Sequence, residues 1–411
     1  MTTTDTLVAP SAAPTPQGKE EERGMLTRIL DASWLTVTFA VIMALLLSSV
    51  LIAAANAEVQ ASAAYLFARP SDFFGAAWDA VYSAYSALFR GAVFDYQAEG
   101  VRRIRPITET MTASVPLIFA GLGLAVGFRS GLFNIGAQGQ VLVGAAAATY
   151  VGIAVDLPVF VHLAAACLAA AVAGAFWAGI AGFLKARTGA NEVIVTIMLN
   201  SISFYLISYL LTTSLLRQGG SRPISPPVGE NSIFPLMLGP SFRLHWGFVL
   251  ALVAAVAVWW LMERSVLGFQ FRAVGANQRA ARTAGVKVNL VFVLVMVTAG
   301  ALAGLGGAAQ ILGTDKTLQA TSAGSIGFDA ITVALLGRSK PLGTVLAALL
   351  FGALRAGSPL MQTSAATPID IVLVIQASIV LLIAAPVLVR ELSLVHRVAQ
   401  LFGYSMKEAR A

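Results

Sequence analysis

The chain is poor in charge, cysteine and histidine. Charged residues make up 11% of its 411 positions, where soluble domains average about 25%. A water-soluble globular fold is excluded on that ground. One cysteine, Cys167, is present, so no disulfide framework exists. The three histidines, His162, His245 and His396, are scattered and have no metal-ligand spacing, and no nucleophilic triad is visible. No G-x-x-x-x-G-K-[ST] occurs: Gly18-Lys19 is followed by Glu20 and lacks the upstream glycine. A nucleotide-hydrolysing site is therefore not expected in this chain.

What is present is apolar. Hydrophobic residues reach 57% and the mean hydropathy is +0.80. The expected fold class is an all-α polytopic membrane protein. A spanning helix needs roughly 20 apolar residues, and about ten stretches approach that length: 33–55, 107–128, 135–155, 159–184, 192–215, 245–262, 289–312, 324–337, 341–357 and 369–389. Of these, 324–337 and 341–357 are the shortest, and each admits a re-entrant or broken helix. The net charge of +7 is spread over short segments between apolar runs. That marks topology rather than nucleic-acid binding. Alternating from an inside start puts most Lys and Arg inside, with Arg102, Arg103 and Arg105 as exceptions, and leaves both termini cytoplasmic. Residues 1–24 read as a polar, disordered cytoplasmic tail without signal-peptide character. Residues 25–395 read as the transmembrane domain, and 396–411 as a cytoplasmic tail.

Two outer segments stand out. Within 72–90, Trp78, Val81, Tyr82, Tyr85 and Leu88 recur at helical spacing, and Asp79, Ser83, Ser86 and Arg90 take the other side. An amphipathic helix at the outer surface is expected there, as packing element or partner surface. From Arg217 to Phe242, Pro223, Pro226, Pro227, Pro235 and Pro240 exclude a long helix.

The segment FRSGLFNIGAQGQ, 128–140, interrupts an apolar run with glycines and amides. Unpaired backbone and amide groups are costly inside a bilayer, so this reads as a half-broken helix facing a pathway. At about 100° per residue, Asn134 and Gln138 would share one face, with Gln140 nearby. Amides both donate and accept, which suits a neutral, hydroxyl-rich ligand; tight helix packing by small residues is the competing explanation. Thr196 and Asn200 share a face further on. Asn191 and Glu192 fit a cap and an acid at a helix start. Asp329 is placed either to bind hydroxyls or to pair with Arg355, and Phe328 offers a stacking ring.

On the inner side, 264–288 is basic. Within it, GANQRAARTAGV offers Asn277 as N-cap of a helix from Gln278 to Ala284, with Gly285 at C′. So short a helix is marginal alone and calls for a docking partner. Its Gly-x-Asn-x-x-Ala-Ala-x-x-x-Gly pattern resembles the coupling motif of ABC-importer permeases, with Gly275, Asn277, Ala280, Ala281 and Gly285 in the matching positions. FRSGLFNIGAQGQ, TGANEVIVTIMLN and GFDAITVALLGRSKPLGTVLAALLFGALRAG resemble the nucleoside and simple-sugar branch of those permeases, a likeness running from about Thr108 to Arg390. One departure is Gln138, where that pattern usually has Glu. The resemblance implies an alternating-access permease of the bacterial plasma membrane. It also implies cytoplasmic ABC ATPase subunits holding ATP-Mg, a second permease copy or homologue, and an extracellular substrate-binding lipoprotein. No cofactor is expected in this chain. An ion-coupled secondary transporter would need intramembrane ionisable residues, and only Asp329 and Glu192 come near that.

Overall fold

The computed structural model describes residues 33–217, 223–368 and 370–384. The two predicted tails, 1–24 and 396–411, lie outside these residues, as does His396. Among the described residues the chain is helical, apart from turns, the irregular stretch between Leu210 and Gly247 with its short 3-10 turn Glu230–Ser232, and one isolated antiparallel bridge between Leu236 and His245.

The helices, in chain order, are α1 Ser33–Ala55, α2 Ala57–Ala63, α3 Pro70–Ala92, α4 Arg105–Arg129, α5 Ala137–Ala154, α6 Val159–Thr188 and α7 Glu192–Leu210. They continue with α8 Gly247–Arg264, α9 Val266–Ala276, α10 Gln278–Thr283, α11 Val288–Gln310, α12 Ile326–Leu336, α13 Pro341–Ala365 and α14 Asp370–Ala384. Among the described residues, 6 helices are long and apolar enough to cross a membrane: α4, α6, α7, α8, α11 (with its extension to Asp315) and α13. The count is 7 if α1 and α2, bent by 74° about Asn56, form one span. This falls short of the predicted ten because α5 begins at Ala137 with two glutamines in its first turn, and α12 has 11 residues. At 1.5 Å per residue α12 is about 16 Å long, half a bilayer core. Other boundaries moved as well. The stretch 192–215 is helical only to Leu210, 341–357 extends past Pro359 to Ala365, and 385–389 lies outside the described residues.

α4 is the central post, buried without a break from Val115 to Gly127. α11 crosses both α5 and α6 at backbone distance. A Cβ on Gly300 would stand 2.2 Å from the Gly174 carbonyl oxygen, and one on Gly304 would stand 2.1 Å from that of Ala170. Small residues replace the hydrophobic effect as the source of tight packing between helices in lipid.

α3 exists as predicted but uses a different face. Its buried residues are Ala80, Ala84, Ala87, Leu88 and Ala92, while Trp78 and Tyr82 are exposed. Alanines and Gly91 let α13 approach until a Cβ on Gly357 would sit 2.5 Å from the Leu88 carbonyl oxygen. Tyr85 ties α3 to α1 by donating to the Leu45 carbonyl at 2.6 Å. The proline-rich loop before α8 is strapped to the segment after α11. Ser225 N donates to Leu318 O at 3.0 Å, Val228 N to Lys316 O at 2.9 Å and Phe234 N to Leu312 O at 3.0 Å.

Candidate functional site

α4 ends at Arg129, and the chain turns at Gly131, whose φ of 71° favours glycine. Residues 132–136 then run without regular structure to the start of α5 at Ala137. α7 supplies what this backbone lacks. Ile135 N donates to Thr196 Oγ1 at 3.2 Å, Asn200 Nδ2 donates to Ile135 O at 2.9 Å, and Gly139 N donates to Asn200 Oδ1 at 2.9 Å. Thr196 and Asn200, one turn apart on α7, act together on the broken stretch. Asn191 Oδ1 caps α7 by accepting from Val193 N at 2.9 Å, and Glu192 pairs with Lys185 at 2.6 Å.

Asn134 and Gln138 do not share a helix face, because Asn134 precedes α5. Asn134 is buried and forms a reciprocal amide pair with Gln140, with Nδ2 to Oε1 at 3.1 Å and Nε2 to Oδ1 at 3.0 Å. Its Oδ1 also accepts from Gly136 N at 2.9 Å. Gln138 points to the other half-helix: Nε2 donates to Gly324 O at 2.6 Å and Oε1 accepts from Gly327 N at 2.8 Å. The two helix starts touch, since a Cβ on Gly327 would fall 2.1 Å from Gln138 N. Two helix N-termini, each the positive end of a dipole, thus meet and are capped by neutral amides.

Next to this junction, Asp329 pairs with Arg355 at 2.6 Å, and Ser325 Oγ bonds both, donating to Asp329 at 3.0 Å and accepting from Arg355 at 2.6 Å. Phe328 is 51% exposed. The six sequence candidates therefore divide by reach. Asn134 and Thr196 are fully buried positioning groups, whereas Gln138, Asn200, Asp329 and Phe328 are partly or well exposed. Gly324, Ser325 and Gly327 were not singled out from sequence; the two glycines at the start of a short apolar helix were the available signal.

In the basic segment after α8, Asn277 Oδ1 accepts from Arg279 N and Ala280 N, both at 3.0 Å, and Gly285 has φ 84°. Val286 N returns to Ala281 O at 3.0 Å, closing a Schellman-type end. The helix ends at Thr283, one residue short of the expected Ala284. Ala281 is buried while Ala280 is exposed. Sequence reading missed α9, which Ser265 caps through Gly268 N at 2.9 Å. α9 brings Gly275 onto the broken segment, where a Cβ would sit 2.4 Å from Arg129 O, and a Cβ on Gly131 would sit 3.1 Å from Gly275 Cα. The end of α9, which leads directly into α10, and the interrupted span are thus in backbone contact.

The sequence profile of the family described as "Branched-chain amino acid transport system / permease component" matches residues 107–385. The chain is 40% identical over 312 residues to the guanosine ABC transporter permease protein NupP of Bacillus subtilis, covering 75% of this chain and 87% of that one. It is 39% identical over 284 residues to the glucose ABC transporter permease protein TsgB13 of Haloferax volcanii, covering 67% and 75%. It is 35% identical over 289 residues to the nucleoside ABC transporter permease protein NupB of Lactococcus lactis, covering 68% and 79%. No solved structure matches. With its broken span, its half-helix α12 and its capped short helix α10 lying inside the matched region, the chain belongs to the branched-chain amino acid transport system permease component family.

Proposed function

We propose that this chain is the membrane-spanning permease subunit of an ATP-driven importer for nucleosides or related simple sugars. The observation that carries the reading is the contact of Gly275 with Arg129 and Gly131, which joins a capped cytoplasmic helix to the interrupted span. A pull on α10 is delivered to the segment that positions Asn134, Gln138 and, through Gln138, the start of α12. Substrate contacts then act by differing affinity for the inward- and outward-open states. The reachable amides of Gln138 and Asn200 can both donate to and accept from hydroxyls, the Asp329 carboxylate can accept from them, and Phe328 presents a ring to a base. Relatives named for guanosine, nucleosides and glucose support that substrate class.

Energy comes from separate cytoplasmic ATPase subunits that hold ATP-Mg; this chain binds no cofactor of its own. A second permease copy or homologue completes the pathway, and an extracellular lipoprotein delivers the substrate. The chain lies in the bacterial plasma membrane with both termini cytoplasmic, and about ten helical passes are reached by counting α5, α12 and α14 as partial or short spans. Reconstitution with the partner ATPase, the second permease and the substrate-binding lipoprotein tests this. Uptake of guanosine into proteoliposomes should require ATP and survive a protonophore. Uptake that persists without ATPase and collapses with the ion gradient would establish the ion-coupled reading instead.

A further inference from the structure

Glu263 occupies the last turn of α8 and is the lone acid in the basic stretch that follows. Its two oxygens serve two arginines from different elements. Oε1 pairs with Arg129 Nη2 at 2.7 Å, at the end of α4, and Oε2 pairs with Arg272 Nη1 at 2.6 Å, on α9. Arg129 is engaged twice, because its own carbonyl is the group on which Gly275 packs. The chain leaves Arg129 directly into the turn at Gly131 and reaches Asn134 five positions later. It leaves Gly275 in the other direction into Asn277, the cap of α10. The carboxylate therefore closes a triangle whose corners are the ends of α4 and α8 and the body of α9.

The energetics say what this triangle is for. Its members are partly exposed, with side-chain accessibilities of 22%, 35% and 34% for Arg129, Glu263 and Arg272. Such pairs contribute about 0–1 kcal/mol each, too little to be needed for folding. Charge-assisted bonds from planar guanidinia do, however, fix direction. Gly275 alone permits close approach and cannot stop sliding, so a directional tie is required if motion of α10 is to reach the broken segment.

We infer that Glu263 is a positioning residue for energy coupling, holding α9 in register with the end of α4 so that displacement of the inner helix moves residues 130–140. This rests on the importer reading. The test is to measure uptake and ATP hydrolysis on the same proteoliposomes containing the full permease–ATPase complex. Glu263→Gln keeps an acceptor for one arginine but turns an N–H donor on the other. The expected result is an intact complex, an unchanged melting temperature and near-normal ATP hydrolysis, with substrate moved per ATP reduced on the order of tenfold. Glu263→Asp should restore part of that ratio. Arg272→Gln should lower it too, and the double variant should be no worse than Glu263→Gln alone, because both remove one tie. A normal uptake-to-hydrolysis ratio in Glu263→Gln and Arg272→Gln overturns the inference. So does loss of the ATPase from the complex, which would make Glu263 a docking residue. Wild-type uptake that needs no ATP would defeat the importer reading itself, a separate outcome.

Discussion

Gln138 grips the start of α12 with both ends of its amide, donating to Gly324 O at 2.6 Å and accepting from Gly327 N at 2.8 Å. Only a side chain with a donor and an acceptor on one planar group satisfies both partners. Gln138→Leu leaves the part-buried Gly327 N without its acceptor, costing about 1–3 kcal/mol, while the exposed Gly324 O turns to water. Thermal melting in detergent should show a loss of about 1–3 kcal/mol. Gln138→Glu, the residue the resembled pattern usually carries, keeps the bond from Gly327 N and sets a carboxylate oxygen against Gly324 O. Its loss should be smaller, under about 1 kcal/mol, with favourable charge at two helix starts offsetting part of it. Equal stability in all three proteins would show that the grip is not made.

α7 predicts an order of effects. Asn200→Leu removes partners from both Ile135 O and Gly139 N, whereas Thr196→Val removes only the acceptor for Ile135 N. Asn200→Leu should cost roughly twice as much stability, on the scale of about 1–3 kcal/mol per orphaned group. The same melting measurement decides it, and a larger effect of Thr196→Val would contradict the assignment.

How much of this was legible in the sequence depended on distance along the chain. Asn277 and Gly285 were readable because cap chemistry is local, and so was the pairing of Thr196 with Asn200 on one turn. Asp329 with Arg355 was open as a pair, since they are the charges of two consecutive short apolar stretches, 26 positions apart. The shared face of Asn134 and Gln138 was misread because helical angles were applied to a residue that precedes the helix. The partners of Gln138 lie 186 and 189 positions away, beyond any periodicity. α3 was read by hydrophobicity, but its packed face was chosen by size: alanines and Gly91 admit a neighbouring backbone that Trp78 and Tyr82 would hold off. The tie between Arg129 and Glu263 is equally long-range.

His245, just ahead of α8, provides a pH signature. Its ring is buried, lies on Gly313, and accepts from Gly247 N through Nδ1 at 3.2 Å. Burial, helped by the nearby Arg243 charge, pushes its pKa down from 6.5 to about 4. The neutral form is the folded one, so the unfolded chain binds the proton first as pH falls. Stability is fully present above about 6.5 and declines through pH 4, by about 3 kcal/mol in all. His245→Asn keeps an acceptor and removes the titration. Melting curves between pH 7 and 4 should slope in the wild type and lose that component in the variant; parallel slopes would refute it.

Gly275 and Gly285 should fail differently. Gly285 has open space around it but a positive φ, so Gly285→Ala costs about 1–2 kcal/mol of backbone strain and loosens the end of α10. A Cβ at 275 would instead stand 2.4 Å from Arg129 O and force the inner helix off the broken segment. Overpacking of this kind costs about 1–3 kcal/mol. Gly275→Ala should therefore reduce ATP-driven uptake more than Gly285→Ala, with both proteins still inserted in the membrane. The reverse order would remove the joint from the mechanism.

The most direct measurement is ATP-dependent guanosine uptake by the chain reconstituted with its ATPase, second permease and substrate-binding lipoprotein, compared in the wild type and Gly275→Ala. The account predicts uptake that vanishes without ATP and falls on the order of tenfold in Gly275→Ala while the ATPase stays bound. Uptake undiminished in the absence of ATP, or unaffected by Gly275→Ala, would contradict it.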